Sequence, residues 1–147
     1  MDLYQLLRQD HLKAKRLFER LNEVAEPATS TRERLFQELK QELERHTELE
    51  EKHFYPALER YEEAQELVGE ALEEHDEIGQ LIEALDQSEP DDQEWAMRLS
   101  ELQEEVEFHI EEEETELFPQ AQELLKASEA QAIAEAIARD KAAAKEK

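Results

Sequence analysis

One stretch of this chain occurs twice, and the repeat limits what the chain can fold into. His46, Glu50 and Pro56 return as His109, Glu113 and Pro119 at a constant offset of 63. The two segments read His46-TELEEKHFY-Pro56 and His109-IEEEETELF-Pro119, and Pro27 and Pro90 share their offset. Upstream, His11 matches His75 at an offset of 64, so the second half has lost one loop residue. Four of the five histidines therefore occupy two pairs of equivalent positions. A His and a His-x-x-x-Glu repeated in two halves point to a two-fold metal site.

Around the repeat, apolar residues recur at helical spacing. The first stripe is Leu3, Leu7, His11, Ala14, Phe18 and Leu21, and it stops near Glu26-Pro27. Ser30-x-x-Glu33 is a capping-box signature for a second helix, whose stripe is Leu35, Leu39, Leu43, His46, Glu50 and Phe54. Pro56 should kink that helix or end its regular part, because it removes a backbone donor and clashes with the preceding turn. A third helix through Glu63 to Asp86 places Leu67, Ala71, His75, Ile78, Ile82 and Leu85 inward. Pro90 and Asp91-x-x-Glu94 start a fourth, striped by Trp95, Leu99, Leu102, Val106, His109, Glu113 and Leu117. Ser128-x-x-Gln131 caps a shorter, Ala-rich final helix with a frayed Lys-rich tail. Short connections favour antiparallel neighbours. The expected fold is all-α: an up-down-up-down antiparallel four-helix bundle with an internal two-fold repeat and a short C-terminal helix. Residues 1–126 would form the bundle and residues 127–147 the helix and tail.

Composition narrows the function. At 147 residues the chain is one domain's worth, long enough to bury a core without staples. A net charge of −24 argues against nucleic acid and anionic membrane surfaces, both of which need Lys and Arg. There is no cysteine, so any metal must be held by imidazole nitrogen and carboxylate oxygen. With no charged-then-apolar leader and no apolar run of membrane-spanning length, a cytoplasmic location is expected. Ser30, Ser88, Ser100 and Ser128 lack a histidine at usable register, and Gly69 and Gly79 alone cannot build a phosphate loop.

His46 and Glu50 lie one helical turn apart on one face, as do His109 and Glu113. Each pair falls on an apolar stripe and should point inward. A buried carboxylate without a partner costs several kcal/mol or takes up a proton; a pair of metal ions would supply the missing positive charge. Each of the four helices carries one inward histidine, and a hydrogen-bonded core role would not call for four at matching depth. Glu51 and Glu114, about 100° round the helix from the proposed ligands, read as outer partners or surface. Tyr4 could approach the site end, and Tyr55 and Phe118 most simply pack the end of the bundle.

On Asp10-His11, the His46-TELEE run, Glu74-His75 and the His109-IEEEE run with Phe118-Pro119, the chain resembles the hemerythrin-like, HHE cation-binding family over about residues 1 to 125. The resemblance implies two non-haem irons inside the bundle, bridged by two carboxylates and an oxo or hydroxo species. Carried over by position, His11 and His46 would bind one iron, His75 and His109 the other, with Glu50 and Glu113 bridging. The chain departs from the oxygen carriers at Gly79, where they have a second histidine. Their fourth-helix carboxylate sits five residues after its histidine, which is Glu114 here, whereas Glu113 has the better helical register. His53 forms a single Glu50-x-x-His53 motif of the kind that di-iron bundles use in pairs; its repeat partner is Glu116, so it reads as a group near the site.

Two histidines per metal leave positions for water, O2 or peroxide. The expected function is O2 or peroxide binding at an open di-metal site, for oxygen or redox sensing or peroxide handling. The alternatives are a non-enzymatic iron-binding, storage or metal-responsive interaction module, and a metal-free helical interaction protein. Zn or Mn would suit the same donors; only the resemblance selects iron.

Overall fold

The computed structural model describes residues 2–24, 29–90 and 93–145, and all regular structure among them is helical. α1 (Leu3–Glu23) starts where the Asp2 carboxylate accepts the backbone N–H groups of Tyr4 and Gln5, each at 3.2 Å, satisfying two donors that a helix N-terminus leaves orphaned. α2 (Thr29–Leu49) places Ser30 inside its first turn and not at the cap expected of it; Pro27 and Asp91 lie outside the described residues.

The prolines end the regular helix as expected, by a specific device. α2 passes into a π-helical segment, Glu50–Phe54, before α3 (Tyr55–Glu59) begins with Pro56 in its first turn. The second half repeats this: α5 (Gln93–Glu112) passes into a π segment, Glu113–Leu117, and then α6 (Phe118–Leu124) with Pro119 in its first turn. A proline cannot donate to the carbonyl four residues back and its ring crowds that carbonyl. Widening the preceding turn relieves both problems, and the residue before each proline donates five residues back, Tyr55 to Glu50 and Phe118 to Glu113. Between the halves, a short 3-10 turn (Glu62–Ala64) leads into α4 (Gln65–Asp86).

α1 packs along α2 and α4 along α5, with further contacts from α1 to α5 and α2 to α4. The interior has two apolar clusters. One holds Ala14, Phe18, Leu39, Leu43, Ile78, Leu102 and Val106; the other holds Leu3, Leu7, Phe54, Leu58, Leu117 and Phe118. Apart from Glu42, the buried polar residues among those described, Asp10, His11, His46, Glu50, His75, His109 and Glu113, fall along the helices between the two.

The last helix departs from expectation. α7 (Ala127–Lys145) has 19 residues, nearly as many as α1 or α2, and runs through most of the Lys-rich tail that was expected to fray. Ser128 does not cap it. Lys126 holds the cap position and its backbone N–H reaches the Glu129 carboxylate at 3.3 Å. α7 lies against α1 and the Glu50–Phe54 segment, burying Ile133, Ala134 and Ile137 in the second apolar cluster. Low average hydropathy hid this, because three well-placed apolar side chains suffice to dock an alanine-rich helix.

Ile137 is fully buried, so Ile137→Ala should lower the unfolding free energy by about 2–5 kcal/mol. Urea denaturation checks this, and a change near zero would mean that α7 is not docked in solution.

Candidate metal centre

The π segments decide what reaches the middle. His46 and Glu50 face inward by ordinary helical spacing, and the widened turn that starts at Glu50 then carries the chain five residues per hydrogen bond. Tyr55, five positions after Glu50, would point well away in a regular helix; the π turn returns it to the same face. The same geometry aligns Glu113 with Phe118 in the other half.

All six residues expected from the sequence come together. Ligand atoms of His11, His46, Glu50 and Glu113 lie within 4.8 Å of one another, and so do those of Glu50, His75, His109 and Glu113. The two groups share both glutamates. Glu113 Oε1 is 3.1 Å from His11 Nε2, while its Oε2 is 3.4 Å from His109 Nε2. Glu50 Oε1 lies 3.1 Å from His46 Nε2 and 3.2 Å from His75 Nε2. Each carboxylate thus faces a histidine from each half of the repeat.

Each of the four central imidazoles turns its Nε2 inward because a carboxylate holds its Nδ1. His46 donates to Asp10 at 2.8 Å, His109 to Glu74 at 2.6 Å, His75 to Glu51 at 2.8 Å and His11 to Glu114 at 2.6 Å. The wiring crosses between helices. The acid before each of His11 and His75 serves the histidine of the neighbouring helix, and the acid after each of Glu50 and Glu113 serves the histidine of another. Such carboxylate–imidazole pairs fix the tautomer and aim of a metal ligand. Glu51 and Glu114 are therefore outer partners of the site.

Tyr55 is the residue that helical spacing missed. Its hydroxyl donates to Glu113 Oε2 at 2.6 Å and lies 3.2 Å from both Glu50 Oε1 and His75 Nε2. The signal was Pro56, whose demand for a π turn swings the preceding residue inward. Phe118, the repeat equivalent, instead stacks on His11 with an interplanar angle of 7°. Tyr4 packs edge-on against Phe54 and Phe118 without joining the ligand groups. His53 also stays outside them: its Nε2 pairs with Asp140 of α7 at 2.7 Å.

These residues fit a metal. His46 Nε2 and Glu50 Oε2 are buried without a hydrogen-bond partner, with Glu50 Oε1 3.1 Å from His46 Nε2. His75 and His109 bring their Nε2 atoms to 3.1 Å, a spacing at which both cannot carry a proton. Imidazole and carboxylate donors converging on shared space suit a divalent first-row cation. Without a cation, protons take its place. Burial opposes charge on His46, yet the Glu50 and Asp10 carboxylates outweigh it and hold its pKa at about 10. His109 is likewise pushed well up against its burial, chiefly by Glu113. Asp10 is held down at about 2, its burial overcome by His46 and Lys141. Burial and the two glutamates keep the Tyr55 phenol protonated.

The family model for the Hemerythrin HHE cation binding domain matches residues 2–121. The chain belongs to that family. A crystal structure of a hemerythrin HHE cation binding domain-containing protein from Mycobacterium kansasii superposes with a TM-score of 0.84 at 25% identity, over 95% of this chain and 85% of that one. No curated protein matches the chain. Within the HHE family frame, Gly79 is exposed and supplies no donor, and Glu113, four residues after His109, is the carboxylate in the ligand groups while Glu114 supports His11. No helix among the described residues is long and apolar enough to cross a membrane.

The protonated His46 gives a pH signature. Its pKa is raised from 6.5 to about 10, so its contribution to stability is complete below pH 6.5 and is lost as pH rises through about 10. Asp10 contributes above pH 3.8 and loses its effect as pH falls towards 2. Metal-depleted protein should therefore melt at progressively lower temperature from pH 6.5 to 10. Metal binding needs the neutral imidazole and should strengthen over the same range. Thermal melts with chelator and with added metal test both trends; a flat metal-free profile would contradict the charged His46.

Proposed function

We propose that this chain is a non-haem di-iron protein binding O2 or peroxide at an open centre formed by His11, His46, Glu50, His75, His109 and Glu113. In this reading α1, α2, α4 and α5 run up-down-up-down, with residues 1–126 as the bundle and residues 127–147 as the C-terminal helix and tail. The observation that carries the proposal is the pair of four-residue ligand groups sharing Glu50 and Glu113. That arrangement calls for two cations side by side with a carboxylate facing both. Bound iron would supply electrons and open coordination positions for a small oxygen species.

The protein's own groups prepare the site for such a ligand. Two histidines per position are few, which leaves room for an outside molecule. A small cavity lined by Ala14, Leu43, Ile78, Val106 and Ile110, with Asp10, Glu42 and Thr47, reaches His11, His46 and His109; its size suits a molecule no larger than O2. The four Nδ1 carboxylates hold the imidazoles in place through a change of ligand. The Tyr55 hydroxyl holds a proton beside both glutamates and would offer it to a small oxygen species held at the centre.

The test is anaerobic Fe(II) loading of metal-depleted chain, followed by O2. Two irons per chain and a new near-ultraviolet band are expected, with both reduced in His46→Ala and His109→Ala. Zinc or no metal retained after loading, or iron that never responds to O2 or peroxide, would reject the reading; the latter would leave a storage or metal-responsive module. Tyr55→Phe should slow peroxide decay by about tenfold or more if the phenol acts as a proton donor while leaving iron content unchanged. An unaltered rate would assign Tyr55 to packing and hydrogen bonding alone.

A further inference from the structure

The inner ligands are two-fold symmetric, but the charge around them is not. Residues 1–49 carry nine Lys and Arg against ten Asp and Glu, whereas residues 50–125 carry three against 27. The whole net charge of the protein, −24, thus resides in the segment that supplies α4 and α5. His11 and His46 stand on the near-neutral pair α1 and α2, and His75 and His109 on the acidic pair.

Local contacts sharpen this contrast. On the α1–α2 side each outer carboxylate has cations nearby. Asp10 receives Lys141 of α7 at 2.5 Å, and Glu114 feels Arg8 and Lys15. Buried Glu42 on the same face lies between Lys13 at 3.1 Å and Arg45 at 2.9 Å. The equivalent of Asp10 in the other half is Glu74, which has Glu112 beside it where Asp10 has a lysine. Glu70, Glu74 and Glu112 rim a cleft between α4 and α5 that reaches His109 and Glu113 from the surface. Two otherwise matched ligand sets therefore sit in fields of different strength: the carboxylates at the approach to His11 and His46, Asp10 and Glu42, are paired with Lys141, Lys13 and Arg45, whereas Glu70, Glu74 and Glu112 at the other approach lie together.

Resting on the di-metal reading above, we infer that the two cation positions fill in order, the His75–His109 position first and the His11–His46 position second. A divalent cation gains from each nearby uncompensated carboxylate and loses from each nearby lysine or arginine. Once the first cation is held, it draws on Glu50 and Glu113, so the second meets shared carboxylates that are already partly neutralised. Both effects separate the steps in the same direction. The reduced charge of the α1–α2 side also makes the His11–His46 position the one that empties first under a chelator.

Calorimetric titration of the metal-depleted full chain with Fe(II) under anaerobic conditions tests this order. Two steps at least about tenfold apart in affinity are expected, a separation of about 1.4 kcal/mol. His46→Ala should keep the tight step and His109→Ala only the weak one. Glu70→Gln with Glu112→Gln, which leave every proposed ligand intact, should weaken the first step several-fold and narrow the gap; this variant and the wild type decide the matter if the histidine variants fail to fold. Two identical steps, a tight step that survives in His109→Ala but not His46→Ala, or a gap indifferent to the glutamate changes would overturn the inference. Fewer than two cations in the wild type would instead sink the di-metal reading on which it rests.

Discussion

Glu50 and Glu113 lie at the centre of the protein with essentially no exposure to water. An ionised carboxylate in such a place is unfavourable by several kcal/mol unless positive charge and hydrogen bonds meet it. The rest of the interior is arranged around that requirement. Four histidines turn their Nε2 atoms towards the two glutamates, four outer carboxylates hold those histidines from behind, and the two apolar clusters lie on either side. In the absence of a metal, protons on His46 and His109 answer the negative charge, which is why their pKa values rise despite burial. A cation would replace those protons, so metal binding and protonation compete for the same cavity.

The prolines connect this electrostatic requirement to the backbone. Pro56 and Pro119 each force a π turn that begins at a central glutamate. The turn lets an aromatic residue follow the glutamate on the same face. In one half that residue is Tyr55, which adds a hydroxyl to the centre; in the other it is Phe118, which adds only a ring against His11. A duplicated backbone device thus carries a difference of one oxygen atom. That difference, with the uneven charge of the two helix pairs, breaks the two-fold symmetry at the shared centre.

Much of the site is legible in the order of residues alone. Helical spacing puts His46 with Glu50 and His109 with Glu113, and the offsets of 63 and 64 pair the histidines of the two halves. These relations are local or repeated, and a helix converts them directly into shared faces. The outer carboxylates are not legible in the same way. Asp10 adjoins His11 yet serves His46, and Glu74 adjoins His75 yet serves His109; such exchanges depend on how neighbouring helices rotate against each other. Tyr55 escapes a reading by spacing because the α-helical period does not hold across the turn before Pro56.

The amino-acid order by itself determined the helices, their apolar stripes, the internal duplication and the identity of the six inward residues, because each follows from spacing within one helix or from repetition. Only the tertiary structure decided that α7 docks through Ile137 and reaches Asp10 with Lys141, that the Nδ1 partners cross between helices, and that Tyr55 enters the centre. Each of these depends on the distance between side chains far apart in sequence or on a departure from regular helix. Neither is encoded in a period.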